Sequence, residues 1–147
     1  MKKSTVLLLT LVFLASILIV GFFGMKSISY KETIYINSIT PTDVTLSTDE
    51  QKTINRDENG KYYVRVTYEP GMIVTVGYSV APGNNTFGSK TKIEISYCSS
   101  DNPNAVEIVR GCTFKVNEQC HFDVKVTALD KAGGASFTLT VYTKLPK

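Results

Sequence analysis

The residues with the most chemistry in this chain are three cysteines and its only histidine: Cys98, Cys112, Cys120 and His121. A cysteine nucleophile needs a base beside it in space. Cys120 and His121 are sequence neighbours, and on a strand neighbours point to opposite faces. A dyad would therefore have to recruit Cys98 or Cys112. Zinc asks for three or four ligands with close pairs such as C-x-x-C, and Cys112 and Cys120 are set too far apart for such a pair. A calcium loop draws oxygens from several alternating positions. The stretches 48–51 (TDEQ) and 56–60 (RDENG) offer adjacent acids without that alternation. The residues thus predict no catalytic group, no metal and no cofactor, and the chain reads as a non-enzyme.

In an exported domain, three cysteines permit one disulfide and leave one thiol over. Cys112 and Cys120 lie at opposite ends of one expected strand of about five residues, or roughly 16 Å, beyond disulfide reach. The bridge is therefore expected to use Cys98, paired with Cys120 if 105–110 is a strand of its own, or with Cys112 if that segment is loop. Two further features could act at a surface. Asn84-Asn85-Thr86 is an N-glycosylation sequon, with Asn84 as acceptor, in a Pro-Gly turn. Tyr35, Tyr63 and Tyr142 alternate outward among polar residues and form a candidate contact surface, whereas Tyr62, Tyr68, Tyr78 and Tyr97 fall on apolar faces and are expected to fill the core.

These groups must be positioned by strands. Downstream of residue 25 the apolar residues alternate with period two, which gives a strand one buried face. Tyr62, Val64, Val66 and Tyr68 share one face, against Lys61, Arg65, Thr67 and Glu69 on the other. The same rhythm runs through Met72 to Val80, Ile93 to Tyr97, Phe122 to Ala128 and Phe137 to Val141, with shorter candidates at Ile34/Ile36, Val44/Leu46 and Val106/Ile108. Phe114/Val116 is either separate from Val106 or joined to it through a bulge at Gly111. About eight strands are predicted. Turn chemistry separates them: Asn59-Gly60 signals a hairpin, and 81–85, 100–104 and 130–134 carry proline or glycine bends. Two such sheets bury their apolar faces against each other about 10 Å apart, so a sandwich is expected.

Ahead of these strands, Thr5 to Met25 carries no charge. As a helix it reaches about 32 Å, matching a hydrocarbon core of roughly 30 Å. A cleaved signal has a shorter apolar region and a small-x-small site, whereas this run ends on Phe22, Phe23 and Met25. An uncut signal-anchor is the reading. Lys2 and Lys3 keep residues 1–4 in the cytoplasm, 5–25 spans, and 26–147 forms one extracytoplasmic domain. With 16 basic and 13 acidic residues in all, the chain beyond Lys3 is near neutral and shows no basic cluster. Nucleic acid is therefore not an expected partner.

The segment 126–143, VTALDKAGGASFTLTVYT, resembles the closing hairpin of immunoglobulin-like modules of prokaryotic surface proteins, of the polycystic-kidney-disease and cadherin-like type. Val126, Ala128, Asp130, Gly133, Phe137, Leu139 and Val141 carry the match. The resemblance implies an immunoglobulin-like β-sandwich; the wider acidic motifs of calcium-binding members are absent. In plan, the chain is also similar to archaeal stator-type proteins of the archaellum, which join an amino-terminal helix to a β-sandwich. The expectation is a membrane-anchored structural or adhesive module of the cell envelope. It would bind an envelope or surface-layer protein, or itself. Two alternatives stand beside it: a pilin-like subunit with its helix in a filament core, and a secreted β-barrel enzyme or ligand carrier released by signal cleavage.

Overall fold

A computed structural model describes residues 3–27, 31–130 and 134–144. Lys2, which enters the orientation argument, and Gly133, in the closing-hairpin motif, lie outside the described residues. The chain divides into two units, Met1–Glu32 and Thr33–Lys147.

The first unit contains helix α1, Lys3–Ser27, which brackets the charge-free run. Its 25 residues rise roughly 38 Å. Helices that fold against a protein core are apolar on one stripe; α1 is apolar on every face, and exposure runs from 45% at Val6 to 73% at Leu18. The two hydroxyls in the middle of its apolar run, those of Thr10 and Ser16, fold back onto the helix, Thr10 Oγ1 donating to the Val6 carbonyl and Ser16 Oγ to that of Val12, each at 2.8 Å. Such internal satisfaction is what a hydrocarbon solvent demands. The helix is long and apolar enough to cross a membrane.

The second unit is built from ten strands: β1 (Ser38–Leu46), β2 (Gln51–Lys52), β3 (Asn55–Arg56), β4 (Tyr62–Thr67), β5 (Met72–Ala81), β6 (Thr91–Cys98), β7 (Val106–Arg110), β8 (Thr113–Val116), β9 (His121–Ala128) and β10 (Ser136–Lys144). They form two five-stranded sheets, β2-β1-β5-β8-β7 and β3-β4-β10-β9-β6. All pairings are antiparallel except β4 with β10, which run parallel. The alternating apolar residues of both sheets meet in one core, with Val44, Val74, Phe114 and Val116 from the first and Val64, Phe122, Val124, Leu139 and Val141 from the second. Phe114 and Phe122 bridge the layers with ring centroids 5.9 Å apart.

Three local details differ from, or settle, what the pattern predicts. The segment 31–37 forms no strand; Ile36 is nevertheless buried, and its N–H donates to Asp130 Oδ2 at 2.8 Å. Gly111, at φ 53°, makes a turn, so β7 and β8 are separate strands. In the β3–β4 hairpin only Gly60 adopts positive φ, 78°, and the Asp57 carboxylate accepts the N–H groups of Asn59 and Lys61 at 2.9 and 2.8 Å. A fourth feature was not foreseen. β1 shifts register between Pro41 and Val44 against β5, and a Cβ at Gly77 would stand 2.4 Å from Asp43 Oδ1. Glycine at this point of β5 is what leaves room for the Thr42 and Asp43 side chains of that irregular segment.

Candidate functional site

The outer face of the β3-β4-β10-β9-β6 sheet carries a row of rings. Tyr63 on β4 meets Tyr142 on β10 edge-on, with centroids 6.4 Å apart. Tyr142 stacks on His121 of β9 at 5.6 Å, and His121 meets Tyr97 of β6 at 5.6 Å. Strand register makes the row. His121 is the Cα partner of Tyr142, Thr140 is the partner of Tyr63, and Tyr97 lies opposite Asp123. The rings stay partly open to solvent, Tyr97 at 52% and Tyr142 at 38%.

Tyr97 in this row corrects the expectation that it fills the core. β6 pairs Ile95 with Val124 but Tyr97 with Asp123, so Ser96 is an extra residue with no partner of its own. A bulge of this kind reverses the facing of everything beyond it. Tyr97 turns outward. Cys98, paired with Phe122, turns inward. The other three core tyrosines sit as the alternation predicts: the phenols of Tyr68 and Tyr78 reach the Asn117 carbonyl at 2.8 Å and Thr91 Oγ1 at 2.7 Å, and that of Tyr62 accepts from Arg56.

Beside the row, an open depression of about 200 Å³ is lined by Asp57, Lys61, Tyr63, Arg65, Thr140 and Tyr142. Its charges are mixed. Lys61 Nζ lies 3.7 Å from Asp123 Oδ2, the Thr140 hydroxyl donates to Asp123 Oδ1 at 2.6 Å, and the Arg65 guanidinium stands 5.5 Å from the Tyr63 ring centre. Aromatic rings with arginine and satisfied polar groups are the composition of protein contact surfaces. Elsewhere, the edge strand β7 leaves Ile108 and Val109 exposed.

Tyr35 does not join the row. Lying ahead of β1, it stacks on Phe87 of the β5–β6 loop with centroids 5.7 Å apart. Asn84 is exposed in the β5–β6 loop, and its neighbour Asn85 is buried, with its side-chain carbonyl accepting the N–H groups of Phe87 and Ser89 at 3.1 and 2.9 Å. His121 faces outward with the rings while the thiols of Cys98 and Cys120 face the core, so the sheet separates them. Among the described residues no cluster of histidine, cysteine and carboxylate is placed to hold a metal.

Cys98, at the end of β6, and Cys120, at the entry of β9, are neighbours on the inner face of this sheet. Burial first, then the neighbouring Cys98, pushes the Cys120 thiol up to about 12. Thr143 clamps the Cys120 backbone, its hydroxyl donating to the carbonyl at 2.6 Å and accepting the N–H at 2.9 Å. Cys112 stands apart at the β7–β8 turn in the other sheet, and burial pushes its thiol to about 11. The loops around the thiol pair are tied together through Glu118, which accepts hydrogen bonds from Ser100 and Asn102 that hold its carboxyl below the usual range.

Two members of the row, His121 and Tyr97, were not foreseen from sequence. His121 was legible as an outward residue of β9, but its meeting with Tyr142 depends on register between strands, which sequence spacing does not carry. Comparison with protein-family models, with curated proteins and with solved structures found no match in any of the three.

Proposed function

We propose that the chain is a single-pass membrane protein whose Thr33–Lys147 unit is an immunoglobulin-like sandwich on the extracytoplasmic side, serving as a structural or adhesive protein-binding module of the cell envelope. The observation that carries the reading is the pairing, in one chain, of a helix apolar on every face with a β-domain that bears an outward row of Tyr63, Tyr142, His121 and Tyr97. The helix restricts the domain to a membrane surface, and the row gives it something to hold. No bond is made or broken in this role.

The strand order supports the immunoglobulin-like assignment. Strands β1, β5, β8 and β7 follow the order A, B, E, D of that sandwich, and β6, β9 and β10 follow C, F, G. β4 is added alongside the last of these. The chain departs from antibody domains in having no tryptophan and no cysteine on β5, so the inter-sheet bridge of those domains has no counterpart. Asn84, exposed in its loop, is the proposed site of an N-linked glycan in a host that has the machinery.

Two measurements test the reading. Protease added to right-side-out membrane vesicles is expected to digest the β-domain and spare the amino-terminal tag; protection of the β-domain overturns the orientation. A photo-crosslinking residue placed at Tyr142 or Tyr97 in living cells is expected to trap a discrete envelope protein or a second copy of this chain, while one at Thr75, on the opposite sheet, traps neither. Adducts from Ile108 alone move the contact to the β7 edge. Mass spectrometry of the native amino terminus separates the alternatives: a start near Ser4 or Thr5 favours a filament subunit, and one near Met25 favours a secreted protein.

A further inference from the structure

We infer that Cys98 and Cys120 close an intramolecular disulfide that ties the end of β6 to the entry of β9, and that Cys112 stays a thiol. Sequence spacing leaves two pairings for Cys98, and three observations in the fold choose between them. The bulge at Ser96 turns Cys98 to the same inner face as Phe122, its partner across the ladder. Cys120 shares that face, two residues before Phe122, and is buried in the core against which Cys98 packs. The strands are locked there as well, by Ser99 N–H donating to the His121 carbonyl and His121 N–H donating to Ser99 Oγ, each at 2.9 Å. Cys112 is on the wrong layer. It precedes β8 and Cys120 follows it, and that strand of four residues separates them by roughly 13 Å. The Cys112 carbonyl is held by the Val76 N–H at 2.9 Å, which keeps it against β5.

The chemistry is thiol–disulfide exchange with an oxidant of the disulfide class, either a dithiol oxidoreductase or glutathione disulfide. Cys98 is the more exposed of the pair, so its sulfur attacks the oxidant and forms a mixed disulfide, expelling one thiol. Cys120 then attacks that Cys98 sulfur and releases the second. One S–S bond forms in the protein, one breaks in the oxidant, and the two thiol protons and two electrons leave with the two oxidant thiols. In the cell the bridge rests on the extracytoplasmic placement proposed above, because cytosolic thiols are kept reduced. The pairing itself does not.

Trypsin places each cysteine in its own peptide, 93–110, 111–115 and 116–125, which makes the test direct. The full chain in detergent micelles is equilibrated with glutathione disulfide, alkylated and mapped without reduction. The expected result is a 93–110/116–125 species lighter by two hydrogens than its parts, with 111–115 alkylated only after denaturation. The oxidised domain should also melt about 10 °C above the same protein reduced with dithiothreitol. Cys112→Ser should keep the bridge. A link to 111–115, a dimer joined through 93–110, or three singly alkylated peptides overturns the proposal. A second sample, acid-trapped directly from cells, reports the compartment. If the bridge forms in micelles but Cys98 and Cys120 are found reduced in cells, the pairing stands and the extracytoplasmic reading falls.

Discussion

Thr143 occupies an inward position where the strand pattern calls for an apolar side chain, and its hydroxyl explains the exception. It closes both backbone groups of Cys120, and the Thr143 N–H adds a third bond to the Cys120 carbonyl at 3.1 Å. Thr143→Val keeps the shape and removes the hydroxyl, leaving the Cys120 N–H buried without a partner. The expected loss is about 1–3 kcal/mol in urea unfolding, and a variant as stable as the parent would show that the clamp contributes nothing. Cys112 gives a pH-dependent counterpart. Its thiol is raised from an ordinary 9.0 to about 11 by burial, so the folded state holds this proton more tightly than the unfolded chain. The resulting stability is fully present below pH 9 and is lost as pH climbs towards 11. In the oxidised protein Cys120 no longer titrates, so Cys112→Ala should flatten the alkaline decline in unfolding free energy between those limits, relative to the parent. An unchanged alkaline slope would show that the buried Cys112 thiol is not the source of the decline.

At the scale of elements, one unpaired residue in β6 decides two surfaces. Ser96 opposes nothing in β9, and the residues on either side of it pair as though it were absent. Deleting Ser96 should therefore leave Tyr97 outward and Cys98 inward, cost no more than about 1 kcal/mol, and preserve the Cys98–Cys120 bridge by non-reducing peptide mapping. Loss of the bridge in that variant would mean that the bulge itself, and not the register beyond it, aims Cys98. The same residue marks where sequence reading stops. Period-two alternation located β4, β5, β9 and β10 and their buried faces, because each runs straight through the core with one side apolar. It placed Tyr97 inside because tyrosine suits either face and a bulge leaves no mark in composition. It left the cysteine partner open because the choice turned on whether β7 was a strand, and "VEIVR" has the exposed Ile108 and Val109 of an edge where alternation is weakest. Gly77 was missed as well, although a glycine within "VTVGYSV" marks a place where another group comes close, here the Asp43 side chain of the irregular β1.

For the whole molecule, the two units ask for different solvents. The Thr33–Lys147 unit buries its apolar faces within itself, and two of its four sheet edges are β2 and β3, strands of two residues each, too short to template another chain. The helix has no such closure. Fully burying a leucine, valine, isoleucine or phenylalanine contributes about 1.5–3 kcal/mol, and the exposed side chains from Val6 to Val20 together outweigh any single lipid chain, whose binding is reversible. The full protein should therefore stay in the membrane pellet through high salt and alkaline carbonate. A chain starting at Thr33 should appear in the supernatant, monodisperse, and unfold in one cooperative transition with the same midpoint as the β-domain of the full protein in micelles. Release of the full chain by carbonate would leave the helix without a bilayer role. A shortened chain that precipitates would mean that the β-domain relies on the helix to cover a face, and the separation of anchor from binding module would have to be given up.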